Sequence, residues 1–274
     1  MLDALAASCA RSLIDRHADP DHNRSVFTLA GPGARDAEAS ARQLARTVAR
    51  SVDLAIHTGV HPRLGALDVV PFVALGPTDT EHRLAIDAAH SFARWWSQAF
   101  DVPCFMYDDA HEEQRDLPTV RRAAFKLHRP DYGPSLPHPH LGATAVGCRK
   151  PLVAINCLLV TRDVDIANRV ARQTRESTGG LAAVRALGFV LAAEDRAQVS
   201  MNLVDLDVTG IEEAVVHVRE VARRERTDIA KVELVGLVPR FELDRCSNAF
   251  LRWSGLDAER TIEARIAALR DPGI

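Results

Sequence analysis

The stretch PLVAINCLLVTRDVDIANRVARQTRE, residues 151–176, predicts a buried strand followed by an amphipathic helix. Its first part is an almost continuous apolar run, and its second part, VDIANRVARQTRE, carries apolar residues at helical spacing. Downstream come VRALGFVLAA and AQVSMNLVDLDVT as strands, IEEAVVHVREVARR as a helix and KVELVGLVP as a last strand. The resulting β-α-β-β-α-β order is a split βαβ unit, the arrangement of ferredoxin-like folds.

The first half of the chain follows a similar order. Residues 2–12 and 34–53 have helical composition, and SLIDRHADPDHNRSVFTLAG between them is a hairpin-like pair of strands. GALDVVPFVAL and VPCFMY are predicted strands that flank the helix TDTEHRLAIDAAHSFARWWSQAF, in which Thr78 is a candidate cap with Glu81 behind it. With one more strand before residue 2 this half would match the second, so its opening strand is missing.

These patterns predict an α+β fold of two ferredoxin-like-type βαββαβ subdomains, the first without its opening strand, and a C-terminal helical extension. The subdomains are predicted to comprise residues 1–150 and 151–274. Residues 108–150 are predicted to form a long irregular connection, because the segment is rich in proline and charge and contains RPDYGPSLPHPHLGATAVG. Long ordered connections often carry function.

Composition excludes several classes of protein. A chain of 274 residues that is 47% hydrophobic with a net charge of -3 is expected to be globular and soluble, without an overall bias toward nucleic acid or anionic lipid. Its five cysteines form no CxxC pair, which indicates a reducing compartment. We find neither a signal peptide nor an apolar run long enough to span a membrane. The expectation is a cytoplasmic protein.

One motif carries candidate chemistry: HTGVHPRLGALDVVPF, residues 57–72, with His57 and His61 four residues apart. On a helix this spacing would place two imidazoles on one face, as in zinc proteases. Gly59 and Pro62 argue against a helix, and no further ligands stand nearby, so a metal site is disfavoured. On a loop, His61 can shuttle protons near neutral pH. The competing interpretation is that His61 only hydrogen-bonds the loop.

This motif, with HNRSVFTLAGP upstream and RPDYGPSLPHPHLGATAVGCRKPLVAIN downstream, resembles the formiminotransferase domain of glutamate formimidoyltransferases. The second half continues the resemblance with RESTGGLAAVRALGF, AQVSMNLVDLDVT and VELVGLVP. The matches run in order from about Asp15 to about Pro239. The resemblance implies two α/β subdomains that hold folate and a glutamate-derived substrate, and a homodimer.

The resemblance also implies an activity. The chain would move a formimidoyl group from N-formimidoyl-L-glutamate to N5 of tetrahydrofolate, which is a co-substrate, and no metal is implied. The catalytic histidine of the family's HPRxGALD motif corresponds to His61, which would act as general base and then as general acid. The family's folate-binding loop corresponds to GPSLPHPHLG, that is, Gly133, Pro134, Ser135, Leu136, Pro137, His138, Pro139, His140, Leu141 and Gly142.

Three further residues are candidates for substrate binding. Arg63 and Arg24 have the planar guanidinium that suits a carboxylate, and His57 is a neighbour of the catalytic position. The competing interpretations are an exposed surface arginine for Arg63 and a turn-stabilising role for Arg24. Asp68 could orient an imidazole, although a carboxylate satisfied by backbone amides is the more common role.

The sequence also departs from the family pattern. Thr58 and Val60 replace charged residues beside the catalytic histidine, AAFK at 123–126 replaces an acidic element, and His17 replaces an aspartate. The opening strand with its V-P-N-F-S motif is absent, which raises the question of a start site further upstream. The alternative function is therefore a diverged, catalytically weak homologue that binds folate or another small ligand. The donor could also be formyl- rather than formimidoylglutamate.

Overall fold

The structure is a computed structural model, and it describes residues 1–20, 23–31, 33–59, 63–76, 78–191 and 194–270. The described strands are β1 (Leu13–Asp19), β2 (Arg24–Leu29), β3 (Val69–Phe72), β4 (Cys104–Asp108), β5 (Thr144–Cys148), β6 (Val153–Leu159), β7 (Val184–Leu191), β8 (Arg196–Leu203) and β9 (Ile229–Val235). The described α-helices are α1 (Leu2–Ser8), α2 (Ala34–Ser51), α3 (Asp79–Phe100), α4 (Leu117–Ala123), α5 (Val164–Thr174), α6 (Ile211–Arg224), α7 (Arg240–Asp244), α8 (Asn248–Ser254) and α9 (Ile262–Arg270).

The chain divides into two compact units. One comprises Met1–Leu13 and His22–Lys150, and the other comprises Ile14–Asp21 and Pro151–Ile274. The α+β class predicted from the sequence is confirmed, with the helices α7, α8 and α9 at the C-terminal end.

The second unit contains the predicted β-α-β-β-α-β order. Its four strands lie in the order β7-β8-β6-β9, and every neighbouring pair is antiparallel. This is the strand order of a ferredoxin-like sheet. Alternate residues of β6 and β8 are buried against α5 and α6, and the C-terminal Phe250 joins the same core. The apolar segments of the strands and the helical periodicity of α5 and α6 were therefore sufficient to identify the sheet and its helical layer.

The strands of the first unit are arranged differently from a single ferredoxin-like sheet. This unit contains β2 and a three-stranded sheet of order β3-β5-β4 with both pairs parallel, whereas nearly all of β1 belongs to the second unit. The long helix α3 packs on this parallel sheet and buries Phe92 and Trp96 completely. Its N-terminus has the predicted capping box, in which Thr78 accepts from the backbone N–H of Glu81 and the Glu81 carboxylate accepts from that of Thr78.

The prediction of one irregular connection over residues 108–150 is wrong at two places. Helix α4 begins after Asp116, whose carboxylate caps it by accepting from the backbone N–H of Thr119 at 2.9 Å. Strand β5 is the central strand of the parallel sheet and is buried along its whole length. The residues of β5 are small because the strand is closely packed, and a Cβ on Gly147 would overlap the ring of Tyr107. Such small residues do not form the apolar pattern by which a strand is predicted. A short strand buried on both faces shows no period-two alternation.

None of the helices within the described residues is long and apolar enough to cross a membrane.

A buried pair of hydrogen bonds fixes α3 to β5 and generates a prediction. Trp96 donates its indole N–H to Thr144 Oγ1 at 3.0 Å, and Thr144 donates its hydroxyl to the carbonyl of Leu67 at 2.7 Å. Thr144→Val keeps the shape but leaves the buried indole N–H and the Leu67 carbonyl without this partner. We expect the free energy of unfolding in urea to fall by about 1–3 kcal/mol.

The matched control is Thr47→Val, because Thr47 makes one exposed hydroxyl bond to the carbonyl of Gln43 on α2. Thr47→Val should change the free energy of unfolding by no more than about 0.5 kcal/mol. Equal losses in the two variants would contradict a structural role for the Trp96–Thr144 pair.

Candidate active site

The centre of the predicted catalytic motif, Val60, His61 and Pro62, lies outside the described residues. The catalytic role of His61 is therefore an untested prediction. The flanking residues on both sides are described, and they show how the chain that carries His61 is attached to the first unit.

Residues 64–66, in the second half of this motif, run beside the end of the folate-type loop, residues 133–142. Ala143 donates its N–H to the carbonyl of Leu64 at 3.0 Å, and Ala66 donates its own to Leu141 at 3.0 Å. Gly65 and Gly142 face each other across this contact as an isolated bridge. We call residues 64–66 and 141–143 together the loop junction. A Cβ on Gly65 would overlap the carbonyl oxygens of the opposite segment, so the glycine permits the close approach.

The folate-type loop, residues 133–142, is fixed at both ends and exposed in between. At its start, Cys104 of β4 donates its N–H to the carbonyl of Tyr132 at 2.9 Å, and at its end Leu141 and Gly142 are buried in the loop junction. Residues 133–137 are exposed. An ordered, exposed loop with anchored ends can bind a flat ligand with little loss of conformational entropy.

His138 holds the loop together by its ring. Its Nδ1 accepts from the backbone N–H groups of His140 at 3.1 Å and of Leu141 at 3.0 Å, while its own backbone exchanges two hydrogen bonds with Gly142. Because Nδ1 is an acceptor, the neutral ring carries its proton on Nε2. The ring of His138 is thus set as a hydrogen-bond donor at Nε2.

His140 connects the same loop to residues 53–55. Its ring Nδ1 lies 3.0 Å from Asp53 Oδ1, and its carbonyl accepts from the backbone N–H of Leu54 at 2.7 Å. A backbone hydrogen bond from Ala55 and then the bond from His140 lower the pKa of Asp53. No local pattern could indicate this partner, because Asp53 and His140 are 87 residues apart in the sequence.

His57, before residues 60–62, contacts Arg63, which follows them. The guanidinium of Arg63 lies against Nδ1 of His57. Since arginine has only donors, Nδ1 is the acceptor, and the neutral ring of His57 carries its proton on Nε2. Partial burial and the positive charge of Arg63 lower the pKa of His57. His57 is therefore neutral near pH 7, and its Nδ1 is occupied by an arginine.

Asp68 is the centre of a small charged group. Its Oδ1 accepts from the backbone N–H of Leu64 at 2.6 Å, and its Oδ2 pairs with the guanidinium of Arg121 on α4. Arg24 is an exposed residue, yet loss of water around its guanidinium lowers its pKa, with Asp68 raising it and Arg121 lowering it further. Asp68 thus binds a backbone amide, as the sequence favoured, pairs with Arg121 and interacts electrostatically with Arg24.

The structure shows the contacts made at two positions where the sequence departs from the family pattern. The carbonyl of Thr58 accepts from the side-chain amide of Asn23 at 2.6 Å, which ties the motif to the turn before β2. Residues 123–126 lie at the end of α4, where Phe125 packs edge-to-face on Phe105 with ring centroids 5.0 Å apart. This segment contributes an apolar cluster in place of acidic side chains.

Part of this site was predictable from the sequence. Its motifs indicated Arg24, Arg63 and the loop 133–142 as separate candidates, and Arg24 interacts electrostatically with Asp68. The motifs did not indicate Arg121 or Asp53. Arg121 is 53 residues from Asp68 along the chain, and no spacing rule relates the two.

Neither thiol chemistry nor a metal site is indicated among the described residues. All five cysteines are free, and burial raises the pKa of Cys157 to about 12 and that of Cys246 to about 11, so these thiols stay protonated. Within the described part of the chain there is no group of three or more His, Cys, Asp or Glu side chains placed to hold a metal ion.

A cavity of about 350 Å³ lies in the second unit, but its polar groups serve the fold. It is lined in part by Glu242, which is fully buried and accepts from the backbone N–H of Ile211 at 2.6 Å. Glu242 also pairs with Arg245. Burial raises the pKa of Glu242, and these contacts join the N-terminus of α6 to α7.

The loop junction leads to a prediction about crowding at Gly142. Its φ is 68°, and a Cβ would lie 2.7 Å from Leu54 Cδ2 and 2.9 Å from Gly65 Cα. Gly142→Ala should lower the free energy of unfolding by about 2–4 kcal/mol, from backbone strain and crowding together.

Gly179→Ala is the matched control, because its φ is 86° and nothing lies within 4 Å of an added Cβ. Strain alone predicts a loss of about 1–2 kcal/mol. Urea denaturation of both variants measures the difference, and a loss at Gly142 no larger than that at Gly179 would show that the two segments do not approach this closely.

The contact between Arg63 and His57 leads to a prediction about the pKa of His57. We expect His57 to titrate below the ordinary histidine value of about 6.5, and Arg63→Ala to raise its pKa toward that value. Since the folded-state pKa is lowered, His57 contributes stability at high pH that is lost as the pH falls below about 6.5. The measurement is the ring chemical shift of His57 by NMR as a function of pH.

Arg122→Ala is the control for this titration. Arg122 is an exposed arginine of α4 that donates to Thr119, and its charge is not among those acting on His57. A wild-type pKa at or above 6.5, or an equal response to both variants, would refute the contact.

Comparison with known proteins places the chain in a family. Residues 2–149 match the formiminotransferase domain, N-terminal subdomain, and residues 154–269 match the formiminotransferase domain. The glutamate formimidoyltransferase of Streptococcus pyogenes serotype M1 is 34% identical over 277 aligned positions, which cover 96% of this chain and 92% of that protein. The glutamate formimidoyltransferase of Thermoplasma acidophilum is 31% identical, with 96% and 90% covered.

A bifunctional protein shows the same similarity over part of its length. The formimidoyltransferase-cyclodeaminase of Mus musculus is 33% identical over 261 aligned positions, covering 87% of this chain and 47% of that protein. With both halves matched and relatives similar over nearly its whole length, the chain belongs to the formiminotransferase family.

Proposed function

We propose that this chain is a folate-dependent one-carbon transferase that moves a formimidoyl group from N-formimidoyl-L-glutamate to N5 of tetrahydrofolate. The observation that carries the proposal is the loop junction. It joins the chain that follows His61 to the end of the folate-type loop by two backbone hydrogen bonds within one unit. Two motifs that are far apart in sequence therefore lie side by side, as a transfer between two bound substrates requires. The names of the relatives are consistent with this reaction.

The proposed chemistry is proton transfer by one imidazole. His61 accepts the proton of N5 as that nitrogen bonds to the formimidoyl carbon. His61 then donates the proton to the glutamate nitrogen as the bond between that nitrogen and the carbon breaks. General acid–base catalysis by a positioned histidine typically contributes about 10²-fold to 10⁴-fold.

The proposed substrate contacts use the charged residues around the motif. Arg63 and Arg24 bind carboxylates of the glutamate-derived substrate, since a guanidinium offers paired donors to a carboxylate. His57, held neutral beside Arg63, presents its Nε2–H as a further donor. In this proposal His57 and His61 have separate roles, and the two do not coordinate a metal ion together.

Folate is proposed to bind along residues 133–142. The exposed segment 133–137 offers its backbone to a flat ligand, and His138 contributes an Nε2–H donor whose direction is set by two backbone hydrogen bonds. His140, bonded to Asp53, holds the loop in place. A preformed loop lowers the entropic cost of binding.

The remaining parts of the proposal concern organisation. We place the division between N- and C-terminal formiminotransferase subdomains at residues 150 and 151, and we propose a homodimer in the cytoplasm that acts on small molecules and not on nucleic acid or membranes. The five free cysteines, four of them buried, fit a reducing compartment.

The test is turnover by the purified full chain. With tetrahydrofolate and N-formimidoyl-L-glutamate we expect formation of 5-formimidoyltetrahydrofolate, measured by its absorbance or by mass spectrometry. His61→Ala should lower kcat by about 10²-fold to 10⁴-fold. His217→Ala, a histidine of α6 in the second unit that lies 3.2 Å from the carbonyl of Gln173, should leave kcat unchanged.

The same assay separates the alternatives. Turnover with the formyl donor and not the formimidoyl donor would correct the substrate. Absence of turnover with either donor, together with folate binding by the wild type, would reject the transferase and favour a binding protein.

A further inference from the structure

We propose that Asp68 and Arg121 act together as positioning residues for the transfer, by fixing the backbone that follows the catalytic motif. The inference rests on the proposed function for its kinetic consequence. We call this pair the Asp68–Arg121 clasp. Neither residue is proposed to touch substrate.

The backbone of Leu64 is held from two sides. Asp68 Oδ1 accepts the N–H of Leu64 at 2.6 Å, and the carbonyl of Leu64 accepts the N–H of Ala143 at 3.0 Å. Leu64 is three residues after His61, so its position limits how far the chain carrying His61 can reach. The two backbone polar groups of Leu64 thus tie the motif to Asp68 and to the folate-type loop.

Asp68 itself is anchored through its backbone. The carbonyl of Asp68 accepts from the N–H of Ala145, a residue of the central strand β5, at 3.0 Å. Asp68 immediately precedes β3, which pairs with β5 beginning at Val69 and Ala145. The backbone of Asp68 is therefore fixed by the parallel sheet, and its side chain is directed back to Leu64.

Arg121 supports the side chain of Asp68. Its guanidinium pairs with Oδ2 of Asp68, and the two side chains are only 21% and 16% exposed. Arg121 follows Val120, which is fully buried in a cluster with Phe105 and Tyr107 of β4. Helix α4 thus holds the guanidinium on a rigid support, as a positioning group requires.

Electrostatics explain why the pair works as a unit. The positive charges of Arg24 and Arg121 repel one another, and Asp68 attracts both. Removing Arg121 leaves the Asp68 carboxylate, which is largely shielded from water, to reorient toward Arg24. That reorientation would take Oδ1 away from Leu64. The loss of a pair this shielded from water is more costly than the loss of an exposed ion pair.

The kinetic signature follows from this geometry. Since the clasp acts on the Leu64 backbone, its loss should misplace the proton-transfer group while the substrate contacts remain. A misplacement of about 1 Å can lower the rate by about 100-fold. The effect should therefore appear in kcat and leave the KM values for tetrahydrofolate and N-formimidoyl-L-glutamate within about threefold.

The variants are chosen to separate the two bonds. Arg121→Ala removes the pairing, and Arg121→Lys keeps the charge without the planar fork. Asp68→Asn keeps an acceptor for Leu64 but loses the charge, and Asp68→Ala loses both. We expect kcat to fall by about 10-fold to 100-fold in Arg121→Ala and Asp68→Ala, with Arg121→Lys and Asp68→Asn in between.

The matched control is Arg122→Ala, which removes the neighbouring exposed arginine of the same helix, and it should keep kcat and both KM values. The double variant Asp68→Asn with Arg121→Ala should be no slower than Arg121→Ala alone, because both changes break the same pair. A kcat that is unchanged in Arg121→Ala and Asp68→Ala, or that falls equally in Arg122→Ala, would overturn the inference.

A second measurement does not depend on turnover. Hydrogen exchange of the Leu64 amide, followed by NMR, should accelerate by about tenfold or more in Asp68→Ala and Arg121→Ala and stay unchanged in Arg122→Ala. If the wild type shows no turnover, the proposed function fails and this exchange still tests the clasp. An unaltered Leu64 amide in both variants would show that the clasp does not hold the backbone.

Discussion

The close approach of two backbone segments, 64–66 and 141–143, is the constraint on which the candidate site depends. The segments exchange amide hydrogen bonds, and Gly65 and Gly142 leave room for the contact. Residues 64–66 lie within the predicted motif 57–72 and residues 141–143 at the end of the predicted loop, so backbone contacts alone bring the two segments together. Because backbone groups join the two segments, the histidine and arginine side chains nearby can contact a ligand. The second contact between the loops, from Leu54 to His140, adds to the same arrangement.

Neighbouring groups shift the ionisation of several residues around this junction. Partial burial and Arg63 lower the pKa of His57, the backbone N–H of Ala55 and then His140 lower the pKa of Asp53, and Asp68 pairs with Arg121. The cationic surroundings suit a substrate that carries carboxylates. Thr58, at a position where the resemblance implies a charged residue, instead contributes its backbone carbonyl to a hydrogen bond from Asn23. The positive groups come from other elements.

Local patterns predicted those parts of the fold that depend on local physics. Helix α3 was recognisable from Thr78 and Glu81, whose capping box depends only on spacing, and the second unit from the periodicity of its strands and helices. Strand β5 was not recognisable, because its small residues are buried on both faces and it follows a loop rich in glycine and proline. Within the site, the resemblance identified the motifs, whereas the pairing of Asp68 with Arg121 arises only when α4 meets the start of β3. The role of His61 remains a prediction.

The order of strands in the first unit has a consequence for how the chain acquires its structure. In the β3-β5-β4 sheet the central strand comes last in sequence, so β3 and β4 have no neighbour in this sheet until residues 144–148 leave the ribosome. Parallel pairing over such sequence distances folds slowly, because loop closure precedes the gain in contacts. Until then the apolar face of α3 lacks the sheet against which it is buried in the folded unit. A nascent chain paused before residue 144 would therefore be a natural client for a chaperone.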